Sequence, residues 1–425
     1  MQRRSSVVTA VILSSLWGAP ALAEGEAPAG AEAHTIHRYV EFAEAEVTIR
    51  SADGKVSIPF NLVNNHVVFQ AAIQGTRLDV VLDTGMPMDG VMLYETDKVS
   101  RLALKYDEGA TARIGGAGAG GGHVEARMAQ GITIDIGDLR ITGATAIVAP
   151  PLMALASYHD AVIGASLFKN LVVAIDYDAR RITLSAPGSW APPEGSVAVP
   201  LTIEHGMPFA DVTLIGGGGR RMPTPVVVDL GAAHPISLNL GAVDGLEAPA
   251  GAIHAVVGLG VSGRLQGRVG RIAGLEIGGL LLKDVVATFP DPDSQHPGGM
   301  QERGGNLGDG VLQRFNVAFD YAHKRMLLTP NQAFAKPFEW DMSGLWIQPD
   351  DKGALRIESI VENSPARTAG LAVGDILTRV NGRAVTPGDL AALREKLRVP
   401  AATFEMAVLR DGRTIRLTLM TMRLV

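Results

Sequence analysis

The chain repeats itself once, at long range. Ile163-Gly164 followed by Val173-Ala174-Ile175-Asp176-Tyr177 returns as Leu307-Gly308 followed by Val317-Ala318-Phe319-Asp320-Tyr321, an offset of 144. Ile136-Gly137-Asp138-Leu139 returns as Ile277-Gly278-Gly279-Leu280 at 141, and His66-Val67-Val68-Phe69 as Gly206-Met207-Pro208-Phe209 at 140. The order is the same in both halves, and the apolar/Gly pattern agrees along with the letters. Solenoid repeats have periods of roughly 20–50 residues, so this period predicts two similar lobes instead. The 50 glycines are too many for helix bundles and predict turn-rich β structure.

A fourth match carries the chemistry. Leu78-Asp79-Val80-Val81-Leu82 runs into Asp83-Thr84-Gly85, and Pro225-Val226-Val227-Val228 runs into Asp229-Leu230-Gly231, at an offset of 146. Each reads as a buried strand that presents one carboxylate at a tight turn. Face to face, the two would form a dyad. Short strands over Val67 to Ile73, Leu78 to Leu82, Ile132 to Ile136 and Val172 to Asp176 are expected around the first motif. Gly188 to Gly195 reads as the linker between lobes, and residues 330–343 as a second linker.

The ends and the balance of charge bound the setting. Residues 1–23 read as a secretory signal: Arg3 and Arg4, an apolar run from Val7 to Trp17, and Ala21-Leu22-Ala23 before Glu24. The run is short for a membrane span, so no integral span is expected after cleavage. Residues 24–39 form an Ala/Glu/Gly/Pro-rich lead-in. No cysteine is present, which excludes disulfides and thiol nucleophiles. A periplasmic or secreted protein is the expectation. Net charge is -6 with no basic stripe, which argues against nucleic acid as a partner.

On these motifs, residues 40–335 resemble the pepsin-like and retropepsin-like aspartic proteases. In that family each lobe brings an Asp-Thr/Ser-Gly turn to a pseudo-twofold axis, and a hydrophobic-hydrophobic-Gly segment packs beneath it. Val162-Ile163-Gly164 and Asn306-Leu307-Gly308 stand in those places. The resemblance implies Asp83 and Asp229 as the catalytic pair, with Thr84, Gly85 and Gly231 supporting the loops, acting on a polypeptide without metal or other cofactor. Such a pair shares a proton: the ionised member activates water, and the protonated one donates to the peptide carbonyl. Leu230 departs from the family, because it has no hydroxyl to brace the loops. Met86 is an unusual residue after the first motif, and Ala232 follows the second. A non-catalytic peptide-binding scaffold on a degenerate protease fold is the alternative.

Gly115 to Gly122 is nearly all Gly and Ala, and Gly258, Gly260 and Gly263 answer it. Both fit G-x-G-x-x-G, but no convincing helix follows either, so nucleotide binding is rejected. The resemblance implies a flap over substrate at Gly115, Gly116 and Gly118; a plain surface hairpin is the other reading. The ten histidines show no metal-binding spacing and are expected on the surface or satisfied in the core. Asp176 and Asp320 are expected to stabilise turns.

The remaining residues change character. Ser364-Pro365-Ala366-Arg367-Thr368-Ala369-Gly370-Leu371, Gly374-Asp375-Ile376-Leu377 and Val380-Asn381-Gly382 make residues 342–425 resemble a PDZ domain. Ser364 reads as a helix N-cap with Pro365 at the first helical position. Pro387 to Leu397 reads as an amphipathic helix, and Asp411-Gly412 as the turn of a closing hairpin. The resemblance implies a peptide ligand at Gly344-Leu345-Trp346-Ile347, although Trp346 replaces the family's second glycine. The expected architecture is mainly β: lobe one over 40–190, lobe two over 195–335, and the PDZ domain over 342–425. The expected function is an exported aspartic endopeptidase whose PDZ domain recruits substrate or regulates access.

Overall fold

A computed structural model of the chain describes residues 45–115, 124–150, 158–260, 263–292 and 303–425. The signal segment, the lead-in, Gly116 and Gly118 lie outside the described residues. The protein is mainly β. Its described strands form three sheets, of 14, eight and six strands.

The motif strands follow from their sequence. Thr76–Leu82 ends in the apolar run Val80-Val81-Leu82, and Arg221–Asp229 carries Val226-Val227-Val228 up to its last residue, as strands buried on both faces do. Leu78, Val80 and Leu82 point into the main core, and Val81 into a second cluster with Met86, Met88, Met92, Tyr94 and Val162. In the other lobe Val226 and Val228 face the main core, while Val227 packs with Met207 and Phe209. Both faces of both strands are thus fixed by burial, which holds their ends in place.

The two lobes repeat one topology. Thr76–Leu82 runs parallel to Ala161–Ile163, which Gly90–Tyr94 crosses antiparallel on its other side. Arg221–Asp229 runs parallel to Gly305–Gly308, which Ile236–Leu238 crosses in the same way. In each lobe a short apolar-Gly strand therefore lies between the motif strand and the strand that follows it.

The lobes are not two separate sheets. Val172–Asp176 pairs antiparallel with Phe315–Asp320, Val173 opposite Phe319, Ala174 opposite Ala318 and Ile175 opposite Val317. These are the duplicated segments themselves, so equivalent strands pair about the Ala174/Ala318 position. Val197–Pro200 and Arg325–Pro330 extend this shared sheet on one side, Arg181–Ser185 and Lys55–Val63 on the other. One hydrophobic core spans both lobes. Asp176 and Asp320 hold turns: Asp176 accepts from the Ala179 N–H, and Asp320 from the His323 N–H and from Arg325.

The last 80 or so residues have a core of their own around Ile347, Ile357, Leu377, Leu393 and Val408. Ser364 caps the helix Pro365–Thr368 by accepting from the Arg367 N–H. That helix is shorter than the sequence run, because Gly370 at φ +83° ends it. Pro387–Asp389 is a 3-10 turn, held by a Thr386–Asp389 capping box, and leads into the helix Leu390–Leu397. Asp411 and Gly412, both at positive φ, turn Thr403–Arg410 into Arg413–Met420. Strand Leu355–Ile360 of this domain lies against the lobe-two hairpin strand Ile253–Gly260, and Arg264 pairs with Glu358 at 3.4 Å.

Candidate active site

Asp83 and Asp229 stand at the ends of their strands, half-buried and within hydrogen-bonding reach of each other. Each turn is closed by its own glycine. The Gly85 N–H donates to Asp83 Oδ1 at 2.7 Å, and the Gly231 N–H to Asp229 Oδ1 at 2.8 Å. Each glycine also faces the opposite aspartate. A Cβ on Gly85 would lie 2.6 Å from Asp229 Oδ1, and one on Gly231 would lie 2.3 Å from Asp83 Cγ. Only glycine lets the lobes approach this closely.

Thr84, 1% exposed, ties the two turns together. Its hydroxyl donates to the Val228 carbonyl at 2.7 Å and accepts the Leu230 N–H at 2.9 Å. Leu230 fills the matching position with a fully buried side chain that has no hydroxyl to return the bond. The bracing is therefore one-sided.

The electrostatics follow from the enclosure. Burial, the charge of Asp229 and the hydrogen bond to it push the Asp83 carboxyl well above the ordinary carboxylate range, against the pull of the Gly85 and Gly231 N–H groups. A proton therefore stays on this pair at pH values where an isolated aspartate would be ionised. The carboxylate/carboxylic acid combination supplies one acceptor for a water proton and one donor for a developing oxyanion.

Several neighbours of the pair escape a reading of sequence motifs. Asn306 Nδ2 donates to Asp229 Oδ2 at 2.6 Å. His234 Nε2 lies 3.2 Å from Asn306 Oδ1 and 3.3 Å from the Asn306 carbonyl. His66 Nε2 lies 3.0 Å from the Gly231 carbonyl, so that nitrogen carries the hydrogen and Nδ1 is left to accept from Tyr158 at 3.3 Å. Burial pulls both imidazoles below their ordinary value. His159 is nearly buried between Tyr158 and Tyr94, and burial pushes its imidazole down to about 3. The one available signal was a polar residue, Asn306, in an otherwise apolar slot. Nothing in the spacing of the histidines pointed at the aspartates.

Behind the pair, Asp309 is fully buried and accepts from the Tyr177 hydroxyl. Burial pushes its carboxyl well up, and the Asp229 charge adds to this, against the pull of Tyr177 and Arg180.

Gly115 follows strand Lys105–Ile114, whose last residue pairs with Val124 at the start of Val124–Ile136. Gly258 and Gly260 lie on strand Ile253–Gly260, which pairs with Gly263–Ile277, so this Gly-rich run is a hairpin and not a phosphate loop. Among the described residues no cluster of three or more His, Asp or Glu is arranged to hold a metal, and no helix is long and apolar enough to cross a membrane.

In the C-terminal domain, Leu345–Pro349 is an edge strand, with Pro349 at its end. The polar groups of this strand and of the turn before it are partly taken. Asp341 Oδ1 accepts from the Ser343 and Gly344 N–H groups at 2.9 and 2.6 Å, and Ser343 Oγ accepts from the Leu345 N–H at 3.0 Å. From the helix Leu390–Leu397, Arg394 Nη2 donates to the Ile347 carbonyl at 2.8 Å. A cavity of about 100 Å³ opens here between Trp340, Trp346 and Arg394 on one side and Ala255 and Val256 of lobe two on the other.

Residues 69–167 match the family model described as aspartyl protease, and residues 356–410 the model described as PDZ domain. The aspartic proteinase from Irpex lacteus is a similar solved structure, with 13% identity, a TM-score of 0.44, and coverage of 67% of this chain and 99% of that one. No curated protein matches the sequence. The chain thus combines an aspartic-protease-like domain with a PDZ domain.

Proposed function

We propose that this chain, an aspartic-protease-like unit followed by a PDZ domain, is an exported aspartic endopeptidase. Asp83 and Asp229 jointly activate a water molecule and protonate the carbonyl of a peptide bond lying across them. The observation that carries this reading is the pair itself: two carboxylates from equivalent strand ends, closed by Gly85 and Gly231, with the Asp83 carboxyl pushed far up by burial and its partner. Water attacks the peptide carbon, its proton passes to the ionised carboxylate, and the protonated one donates to the carbonyl oxygen. On collapse, the carboxyl that took the water proton passes it to the leaving nitrogen, the diol returns a proton to the other carboxylate, and the amine is released. Export rests on the Arg3/Arg4, Val7–Trp17 and Ala21-Leu22-Ala23 pattern alone.

The PDZ domain is proposed to present substrate to the cleft or to regulate entry. Its contact with the lobe-two hairpin supports that role. A second reading, a peptide-binding scaffold without turnover, is favoured by one observation: Leu230 leaves Thr84 to brace the loops alone.

Purified residues 24–425 incubated with an unbiased peptide library across about pH 3 to 8 test the proposal, since a carboxylate pair titrates in that range. The expected result is cleavage that both Asp83→Asn and Asp229→Asn lower by about 10²–10⁴-fold. Binding without cleavage at any pH would leave only the scaffold.

A further inference from the structure

Asp229 accepts from a neutral side chain, whereas the groups that pull on Asp83 are the backbone N–H groups of Gly85 and Gly231. Asn306 Nδ2 lies 2.6 Å from Asp229 Oδ2, the oxygen that the Gly231 N–H does not use. The orientation of the Asn306 amide is fixed from outside. His234 Nε2 is within reach of the Asn306 backbone carbonyl, which can only accept, so Nε2 carries the hydrogen. That hydrogen also faces Asn306 Oδ1 at 3.2 Å, which turns the amide N–H₂ toward Asp229. The chain of donors runs in one direction, from His234 through Asn306 to Asp229. In lobe one the equivalent slot holds Val162, an apolar residue packed beneath the cleft.

An N–H donor favours the ionised form of the carboxylate that accepts it. We infer that Asn306, oriented by His234, is a positioning residue that fixes the polarity of the pair: Asp229 is the ionised member that takes the water proton, and Asp83 the protonated member that donates to the carbonyl. This rests on the proposed peptidase reading and adds to it an assignment that the motif symmetry leaves open. Protons balance. One moves from water to Asp229 and one from Asp83 to the carbonyl oxygen, so the pair reverses its protonation during attack and resets on collapse.

The groups facing Asp229 come from several elements. Asp83 faces it from the opposite turn, His66 from strand His66–Ile73, and His234 from the loop after its own motif. Asp309 follows strand Gly305–Gly308, and Tyr321 follows Phe315–Asp320. Beside these titratable groups, the neutral amide of Asn306 donates to the Oδ2 oxygen.

The test is the acid limb of the kcat/KM profile against pH, where the base ionises. Asn306→Leu should move that limb up by about one pH unit, a tenfold loss of kcat/KM below it, with a smaller change on the plateau. His234→Phe, which removes the outer link, should move it in the same direction. A readout free of turnover is the carboxyl ¹³C titration of Asp229 in Asp83→Asn protein, with and without Asn306→Leu. The Asp229 midpoint should rise when Asn306 is replaced. An unmoved midpoint, or an equal loss of activity at every pH, would overturn the assignment while leaving the peptidase reading intact. Absence of wild-type turnover would remove the peptidase reading, and the titration would still decide the Asn306 question.

Discussion

Thr84 accepts the amide hydrogen of Leu230 at 2.9 Å across the lobe boundary, and Leu230 has nothing to give back. The same hydroxyl donates to Val228, so one side chain of lobe one satisfies two buried backbone groups of lobe two. Thr84→Val keeps the shape and strands both groups. The expected cost is about 3 kcal/mol, from two unsatisfied buried polar groups. Chemical denaturation of the purified variant measures it, and a cost within error of zero would mean that water replaces the hydroxyl.

Asp83 should trade stability for function. Its carboxyl binds a proton more tightly in the folded chain than at the ordinary value of 3.8. The stabilisation from that proton is complete below pH 3.8 and is lost as pH rises through the higher folded value. Asp83→Asn carries no such charge. Its melting temperature should match wild type in acid and exceed it increasingly toward neutral pH, while peptide cleavage falls by about 10²–10⁴-fold. Thermal melts at several pH values check the sign.

His159 has the opposite slope. Its imidazole falls from 6.5 to about 3 on folding, so the unfolded chain binds the extra proton between those values. Its contribution is intact above pH 6.5 and drains away as pH falls toward 3. His159→Phe preserves the aromatic contacts with Tyr94 and Tyr158 and should flatten the acid side of the stability profile.

Gly231→Ala should lower turnover by about 100-fold without unfolding the chain. The added methyl group would sit 2.3 to 2.5 Å from the Asp83 carboxyl atoms, so that side chain must swing away from Asp229. Misplacement of a reacting group by about 1 Å can cost about 100-fold. Circular dichroism alongside peptide cleavage separates this outcome from misfolding.

Arg394→Ala should open the edge strand of the PDZ domain. Its guanidinium occupies the Ile347 carbonyl, an acceptor that an added peptide strand would use. Freeing it should tighten binding of extended peptides by about tenfold, the worth of one hydrogen bond to a charged group. Trp346 fluorescence during peptide titration reports the change.

The duplication was legible because each repeated run is apolar and its spacing needs no side-chain detail. The same letters that matched at an offset of 144, Val173-Ala174-Ile175 and Val317-Ala318-Phe319, turn out to pair with each other. The shared sheet was not legible, since a strand's sequence shows that it is buried and not which partner buries it. The surroundings of the aspartates were hidden for a related reason. His66 reaches Gly231 from 165 residues away, and Asn306 reaches Asp229 from 77, so both depend on packing that no local pattern encodes. In the PDZ domain, the edge strand could be located from Gly344 to Ile347. That Asp341 and Arg394 occupy its polar groups follows from an Asx-like turn and a helix that lie outside the motif.

The pairing of Val172–Asp176 with its own duplicate has a consequence for biosynthesis. While the ribosome has released only the first lobe, that strand has an open apolar edge, and its native partner is still about 140 residues from being made. The partner it awaits closely resembles itself. A nascent first lobe is therefore self-complementary, and the nearest available match is the same strand on another copy. A first lobe produced alone should form a homodimer through this edge, with Asp83 present twice at its centre.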